Sequence, residues 1–358
     1  MNVLVAMSGG VDSSVAAALL CDEGHDVVGV TMRLWGGPSD SGCCAVSDVD
    51  DARRVAQQLG IDHHVFNFSD EFEAGVVAPY VDAHARGTTP NPCIECNRTI
   101  KFARLAERAD DLGFDAIATG HHARVVRTAD GGWRVGRGAD RAKDQSYVLH
   151  MLGQRQLART LLPVGDVTKA RVREIATEAG LRTAAKDESQ DVCFITSTAG
   201  RQQFLAERLT PRPAIVVDTG GRELATVASI EMVTIGQRRG LGIGGGPARY
   251  VVDIDPHEAR VVVGGADELQ CGAVVVESMT WAADLASPAG TAVRVQTSAH
   301  GAAHAASTAE FLDDATRVIV RFDQPQRRVA PGQSVVLYDV DDATVLGGGI
   351  VASGPPLG

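Results

Sequence analysis

The apolar run Val3-Leu4-Val5 passes through Ala6-Met7-Ser8 into Gly9-Gly10-Val11-Asp12-Ser13-Ser14 and on into Val15-Ala16-Ala17-Ala18-Leu19-Leu20. That order leaves few folds open. A short apolar run bounded by a turn signal reads as a buried strand. Two glycines allow a tight turn, and the Ala- and Leu-rich continuation opens a helix. Such a turn gathers backbone N–H groups at a helix N-terminus, where the macrodipole adds partial positive charge. Ser8, Ser13 and Ser14 add hydroxyl donors. The product is a cradle for phosphates at the start of an α/β domain.

Strand and helix signals then alternate. Strands are expected at Val3–Met7, Val27–Trp35, His64–Phe68 and Phe114–Thr119. Helices are expected at Ser13–Glu23, Asp48–Leu59, Glu71–Ala85, Asn97–Leu112 and Thr168–Ala179, with Gly24, Gly60, Gly87, Gly113 and Gly180 as stops. Alternation of this kind predicts a parallel sheet covered on both faces. Ligands sit at the carboxyl ends of such strands, which sets Ser8, Met32 and Gly120 on one rim.

After about Gly200 the pattern becomes short strands between Gly- and Pro-rich turns: Ile215–Val217, Tyr250–Ile254, Val261–Val263, Ala273–Val276, Ala292–Gln296, Thr316–Phe322, Ser334–Tyr338 and Thr344–Leu346. This is an all-β pattern. Residues 298–308 read as a loop or a frayed hairpin. The expected organisation is α/β: a parallel-sheet catalytic domain over 1–200, a small mainly-β middle domain over 201–265, and a C-terminal β-barrel over 266–358.

Several classes are excluded. The loop lacks the Gly-Lys-Ser/Thr ending of a Walker motif and the Gly-x-Gly-x-x-Gly spacing of dinucleotide binders. No apolar run reaches the roughly 20 residues of a membrane helix, and the chain enters its first strand with no room for a signal peptide. A cytoplasmic protein is expected. The net charge of −11 argues against a broad nucleic-acid surface. Basic residues nevertheless cluster between Arg86 and Lys143, at Arg98, Lys101, Arg104, Arg108, Arg124, Arg127, Arg134, Arg137 and Arg141. A local patch can still dock RNA.

Seven cysteines in a chain of this length suit a reducing compartment, where spaced thiols point to catalysis or metal binding. Thr89-Pro90-Asn91-Pro92-Cys93-Ile94-Glu95-Cys96-Asn97-Arg98 reads as an extended approach to a helix beginning after Asn97. A helix N-terminus and the charge of Arg98 would favour a thiolate, making Cys96 a candidate nucleophile. Cys193 lies in Asp187-Glu-Ser-Gln-Asp-Val-Cys-Phe-Ile195, and spacing alone does not bring it to Cys96. Cys21 and Cys271 read as core residues, and Cys43-Cys44 lies in a Gly/Ser/Asp loop. Zinc lacks a second ligand pair. A [4Fe–4S] cluster held by Cys93, Cys96 and Cys193 remains an open alternative, since thiolates are its usual ligands.

Ser-Gly-Gly-Val-Asp-Ser resembles the PP-loop of ATP pyrophosphatases. With Thr-Pro-Asn-Pro-x-x-x-Cys-Asn, Asp-Val-Cys-Phe-Ile, Ala118-Thr-Gly-His-His-Ala-Arg124, Lys143-Asp-Gln-Ser-Tyr147, Ile235-Gly-Gln-Arg-Arg-Gly-Leu-Gly-Ile243 and Val329-Ala-Pro-Gly-Gln-Ser334, the chain resembles the tRNA-specific 2-thiouridylases over almost its whole length. The resemblance implies ATP-dependent 2-thiolation of the wobble uridine of tRNA, in which the C2 oxygen is adenylated and sulfur then displaces AMP. It implies ATP contacts at Ala6, Met7, Ser8, Gly9, Gly10, Val11, Asp12, Ser13, Met32 and Gly120, with Mg²⁺ as counter-ion and Asp12 as a candidate ligand. It implies tRNA contacts at Asn91, Pro92, Cys93, His121, Lys143, Asp144, Gln145 and Gln333. Cys193 matches the cysteine that receives a persulfide from an upstream sulfur-relay protein or cysteine desulfurase. Cys96 matches the nucleophile that releases the sulfur by forming a disulfide with Cys193. Many family members carry Asp where this chain has Cys93, which leaves the general base unassigned. Segment 295–300 lacks the Arg-rich character expected of an RNA-facing loop, so no contact is carried there. Two other classes fit the residues: a PP-loop ligase adenylating a small metabolite, and an iron–sulfur RNA-binding sensor.

Overall fold

The computed structural model describes residues 1–35, 46–129, 131–187, 192–195, 200–282, 289–313 and 315–354; Cys43 and Cys44 lie outside them. Val3, Leu4 and Val5 are fully buried, which is why this run forms the central strand, Asn2–Ala6. It pairs in parallel with Asp26–Arg33 on one side and Ala116–Ala118 on the other. Asp62–Asn67 and Thr160–Leu161 complete a five-stranded parallel sheet. Helix Val11–Asp22 covers one face, burying Val11, Val15, Ala16, Ala17 and Leu20 with Val55 and Ala56 of helix Val46–Leu59. Small residues let these helices lie close to the sheet.

The middle segment forms a four-stranded sheet from Ala214–Asp218, Glu223–Val227, Tyr250–Asp255 and Arg260–Gly264. The C-terminal segment closes a six-stranded antiparallel barrel over its own core of valines, including Val276, Val295, Val318, Val320 and Val335. The fold is thus α/β, with a parallel-sheet domain followed by a small β unit and a β-barrel.

Three local expectations change. First, the cysteine helix starts at Pro92, five positions earlier than expected, and runs as Pro92–Cys96, a π-helical stretch Asn97–Arg104, and Leu105–Asp111. The reason is local. Asn91 is the N-cap, its side-chain oxygen accepting the Cys93 N–H at 3.0 Å. Pro92 takes the first helical position, where its missing N–H costs nothing. Cys93 therefore occupies the first turn and Cys96 begins the second, so the helix-terminus argument for a thiolate passes from Cys96 to Cys93. Second, part of the stretch expected as a loop or frayed hairpin belongs to a regular barrel strand, His304–Leu312, paired on both sides. Barrel closure supplies partners that sequence periodicity does not show. Third, a hairpin of Ala123–Arg127 and Trp133–Arg137 was not anticipated. It leans on the barrel through a bridge between Gly136 and Thr344.

Arg137 ties hairpin to barrel. Its guanidinium lies 3.6 Å from the centre of the Tyr338 ring and pairs with Asp144 at 2.8 Å and with Asp342. The Tyr147 hydroxyl donates to the Ser334 carbonyl at 2.8 Å, and the Thr89 N–H donates to the Pro331 carbonyl at 2.9 Å. These bonds hold the barrel against the rim of the parallel sheet.

Candidate active site

A cavity of about 530 Å³ lies along the carboxyl ends of the sheet strands. Ala6, Met7, Ser8, Asp12, Ser13, Met32 and Gly120 line one part of it; Pro92, Cys93, Cys96, Cys193, His121, Lys143, Asp144 and Gln145 line the rest. Segments separated by more than a hundred residues in the chain thus share one space.

At the loop end, the helix Val11–Asp22 carries no side-chain cap; Gly10 is its N-cap in an extended conformation. Its first amides are oriented as an anion cradle requires. The Ser13 hydroxyl accepts the Ser8 N–H at 3.1 Å and lies 3.3 Å from the Ser8 hydroxyl, so both hydroxyls sit together at the cavity wall. Ser14 differs from expectation: it is fully buried and donates to the Gly10 carbonyl at 2.8 Å, closing the turn. Val11 packs into the apolar core, and neither Val11 nor the two glycines is among the lining residues. Gly9 has φ +73°, and a Cβ there would come within 2.3 Å of the Asp48 carbonyl oxygen. At Gly120 a Cβ would lie 2.6 Å from the Ser13 backbone nitrogen. Both positions need glycine because backbone approaches backbone.

Asp12 faces an ammonium and an imidazole. Lys169 Nζ lies 2.6 Å from both carboxylate oxygens, and His122 Nε2 lies 3.0 Å from Oδ1. Burial alone would raise the Asp12 pKa; the bonds from His122 and Lys169 outweigh it and hold the carboxyl below its ordinary range. Asp12 is therefore an engaged anion rather than an open ligand for Mg²⁺. Lys169 is a cavity-lining cation that sequence reasoning missed. Its only local signal is its place directly after Thr168, the N-cap of helix Lys169–Glu178.

At the thiol end, Cys96 is buried and Cys193 half-buried, and both are thiols. Both belong to an aromatic cluster. Phe194 anchors the Cys193 segment there, with ring centres 5.1 Å from Phe204, 5.6 Å from Tyr80 and 5.7 Å from Phe72. Val192 holds φ +58°, an unfavourable conformation for a β-branched residue, so the backbone entering Cys193 is strained. Cys93, Cys96 and Cys193 share the cavity. Among the described residues, however, no three His, Cys, Asp or Glu side chains are grouped so as to hold a metal ion. No step is routed through a cluster on these thiols.

The remaining expected contacts separate into lining and supporting positions. His121 is buried, its Nδ1 2.7 Å from the Thr119 hydroxyl, and burial followed by the charge of Lys101 lowers its pKa well below the usual histidine value. It is a neutral imidazole at pH 7. Asp144 accepts from Arg137, from the Gly138 N–H at 2.7 Å and from the Ser146 hydroxyl at 2.7 Å, so it braces the loop. Gln145 Oε1 accepts the His122 N–H at 2.9 Å. Asn91 caps a helix, and Gln333 Nε2 donates to the Thr89 carbonyl; both are set back from the lining and position the cysteine helix. Conversely, Ala299 and His300 of the barrel side do line the cavity, where no contact was expected. Barrel packing, not local composition, brings them there.

Family models match the chain in three consecutive parts: a tRNA methyl transferase HUP domain over residues 1–197, a tRNA methyl transferase PRC-barrel domain over 202–265, and an aminomethyltransferase beta-barrel domain over 272–351. Curated relatives match end to end. A tRNA-specific 2-thiouridylase MnmA of Chloroflexus aggregans is 48% identical, with 98% of each chain covered. One of Mycolicibacterium paratuberculosis is 45% identical over 98% of this chain and 99% of its own length. One of Geobacter metallireducens is 42% identical over 97% and 96%. Among solved structures, the U34-tRNA thiolase NcsA of Methanococcus maripaludis with its [4Fe-4S] cluster overlaps 58% of this chain and 65% of its own, at 17% identity and a TM-score of 0.37, too remote to bear on fold or cofactor here. With relatives of this similarity aligned over nearly its full length, the chain belongs to the family of tRNA-specific 2-thiouridylases.

Proposed function

We infer the course of the reaction from the way one cavity joins a phosphate cradle to two thiols. The chain is an ATP-dependent enzyme that thiolates a tRNA uridine. A carbonyl oxygen is a poor leaving group, so the C2 oxygen of uracil attacks the α-phosphorus of ATP and pyrophosphate departs. The uncapped helix at Gly10, with Ser8 and Ser13, receives the phosphates. Lys169 is the nearby cation for their charge, and Asp12 and His122 position it.

Sulfur arrives as a persulfide on Cys193, loaded by a sulfur-relay protein or a cysteine desulfurase. Its terminal sulfur attacks C2 and AMP leaves. The Cys96 thiolate then attacks the Cys193 Sγ, breaking the persulfide S–S bond, leaving sulfur on C2 and forming a Cys96–Cys193 disulfide. An external dithiol returns both thiols to the reduced state. The two cysteines supply the two electrons that bring persulfide sulfur to the sulfide level. Half-burial of Cys193 against burial of Cys96 supports this division, since the loaded cysteine must meet a donor.

The target base must leave its stack, which is least costly in a single-stranded loop. Pro92, Cys93, His121, Lys143 and Gln145 are the lining groups we assign to the base and its neighbours, while Asn91, Asp144 and Gln333 hold them in place. The units 1–200, 201–265 and 266–358 divide this work, the barrel contributing Ala299 and His300 to the cavity wall.

The carrying observation is that Ser8, Ser13, Cys96 and Cys193 line a single cavity. The test is 2-thiouridine formation on unmodified tRNA by anaerobically purified protein with ATP, Mg²⁺ and a persulfide source. Pyrophosphate, AMP and iron are measured for wild type, Cys93→Ser, Cys96→Ser and Cys193→Ser. Loss of thiouridine in Cys96→Ser and Cys193→Ser, with activity kept in iron-free Cys93→Ser, is expected. Loss in all three that tracks loss of iron would replace the persulfide route with a cluster route. Pyrophosphate release without thiouridine in the wild type would restore the ligase reading.

A further inference from the structure

Asn97 follows Cys96 directly and is almost fully buried, 2% exposed. Its Nδ2 donates to the Val148 carbonyl at 2.9 Å. That carbonyl can only accept, so the carboxamide cannot turn over without setting two oxygens face to face. Oδ1 is thereby fixed in the opposite direction. It is buried, and among the described residues it has no hydrogen-bond partner. Asn97 and Val148 both line the cavity, beside Cys93 and Cys96. A buried acceptor without a donor destabilises a folded protein, and such a group in a cavity wall is satisfied when a ligand brings the donor.

We propose that the Asn97 carboxamide oxygen accepts the N3–H of the target uracil and thereby selects uridine over cytidine. The proposal rests on the thiolation reading above and names the residue that gives it base specificity. Uracil has one N–H on its pairing edge, and N3 is bonded to C2, the carbon that takes the sulfur. Cytosine presents a lone pair at N3, which would face the lone pairs of Oδ1. A site built around a hydrogen bond rejects an analogue that cannot make it more strongly than an apolar pocket rejects a change of size. The same contact assists the chemistry. Adenylation of O2 draws electron density from the ring and makes N3–H a stronger donor, so the bond to Oδ1 tightens as the intermediate forms. No proton leaves N3 in this scheme; it remains there in the thiolated product.

The test uses the full-length protein and two unmodified tRNAs that differ only by uridine or cytidine at the wobble position. Dissociation constants are measured for wild type and Asn97→Ala, together with ATP affinity and melting temperature. Wild type is expected to prefer uridine by on the order of 10- to 100-fold. Asn97→Ala is expected to bring the two tRNAs within about threefold by weakening uridine, with ATP affinity unchanged. A merely structural role would weaken both tRNAs alike and leave the ratio intact, which overturns the proposal. A fall in ATP affinity with the ratio intact also overturns it and assigns Oδ1 to the adenine amino group. A tRNA carrying 3-methyluridine at that position probes the wild type without any variant. It should bind at least about tenfold more weakly than the uridine form, and equal binding overturns the proposal. Wild-type thiolation is run on the uridine tRNA alongside. Its absence defeats the parent reading and this one together, whereas intact thiolation with an unchanged ratio defeats this one alone.

Discussion

The two ends of the cavity are built in opposite ways. The end assigned to phosphates is built on one short stretch, Ala6 to Ser13, whose strand, turn and helix start follow from its own residues, joined by Met32, Gly120 and Lys169 from other elements. The thiol end is assembled from Cys93 to Asn97, from Val192 to Phe194, from Val148, and from Ala299 and His300. The first end is a local motif seated on a sheet; the second exists only when helix, loop and barrel are packed together. The proposed course of the reaction divides along the same line. Phosphate recognition reuses backbone amides that any such turn presents. Sulfur transfer needs particular side chains brought together across distance.

If the division is right, substitutions at one end should spare the other. The largest effect is expected at Cys96 and Cys193. Serine at either should lower thiolation by more than about a thousandfold, the scale of removing a nucleophile that acts as a unit with its partner, with ATP affinity unchanged by isothermal titration. Lost ATP binding in these variants would mean that the two ends are one cooperative unit. Next comes Gly120→Val. The backbone nitrogen of Ser13 stands 2.6 Å from where a Cβ would go, so the cradle must distort. ATP affinity should fall by at least about tenfold, with about 1–3 kcal/mol lost in stability. Normal ATP binding in this variant would show that the loop adapts and that local geometry is not decisive.

Phe194→Ala probes the assembled end. The side chain is 4% exposed among four aromatic rings, and its removal should cost about 3–5 kcal/mol where the segment is part of the cooperative core. Single-turnover thiolation should fall well before ATP affinity does. Gln333→Ala is milder. It removes one bond between barrel and Thr89, worth about 0.5–1.5 kcal/mol. The expected readout is a several-fold rise in KM for tRNA with kcat and ATP affinity kept.

The smallest effect is a pH dependence of stability. Burial, with the charge of Arg98 as a second cause, lowers the His150 pKa to about 3, and burial also lowers that of His121. The unfolded chain takes up protons on these rings near pH 6.5, while the folded chain does not. Protons therefore favour unfolding, and stability should fall as pH drops from about 7 toward 5. Neither ring nitrogen of His150 has a partner among the described residues, so His150→Leu should be tolerated and should flatten the melting-temperature profile over that range. An unchanged slope would assign the effect to His121 and the other buried histidines.

Legibility followed the same divide. The strands of the parallel sheet were visible because apolar runs and glycine stops are local signals, and Ser8, Met32 and Gly120 do meet at one rim. Sequence alone sets the start of the cysteine helix too late because Pro92 reads as extending the chain, whereas after the Asn91 cap it begins the helix. The local signal of Lys169 does not single it out, since a lysine after a capping threonine looks like any solvated helix end. Nothing local singles out Asn97 either. Its proposed role rests on an oxygen with no partner among the described residues, and partners are a tertiary property. Residues 304–308 read as irregular because their pairing is with strands on either side in the barrel.

What this sequence determines by itself is the phosphate cradle, the α/β order of its first half and the β character of its second, because short-range sterics, capping and periodicity act within a few residues. Its motifs, read together, also carry the family. What only the tertiary structure decided is which groups face one another: Lys169 against Asp12, Asn97 Oδ1 beside Cys96 with no partner among the described residues, Phe194 fixing Cys193, and the barrel closing the cavity wall. Those juxtapositions come from burial and packing of segments far apart in the chain, and no local rule of the backbone encodes them.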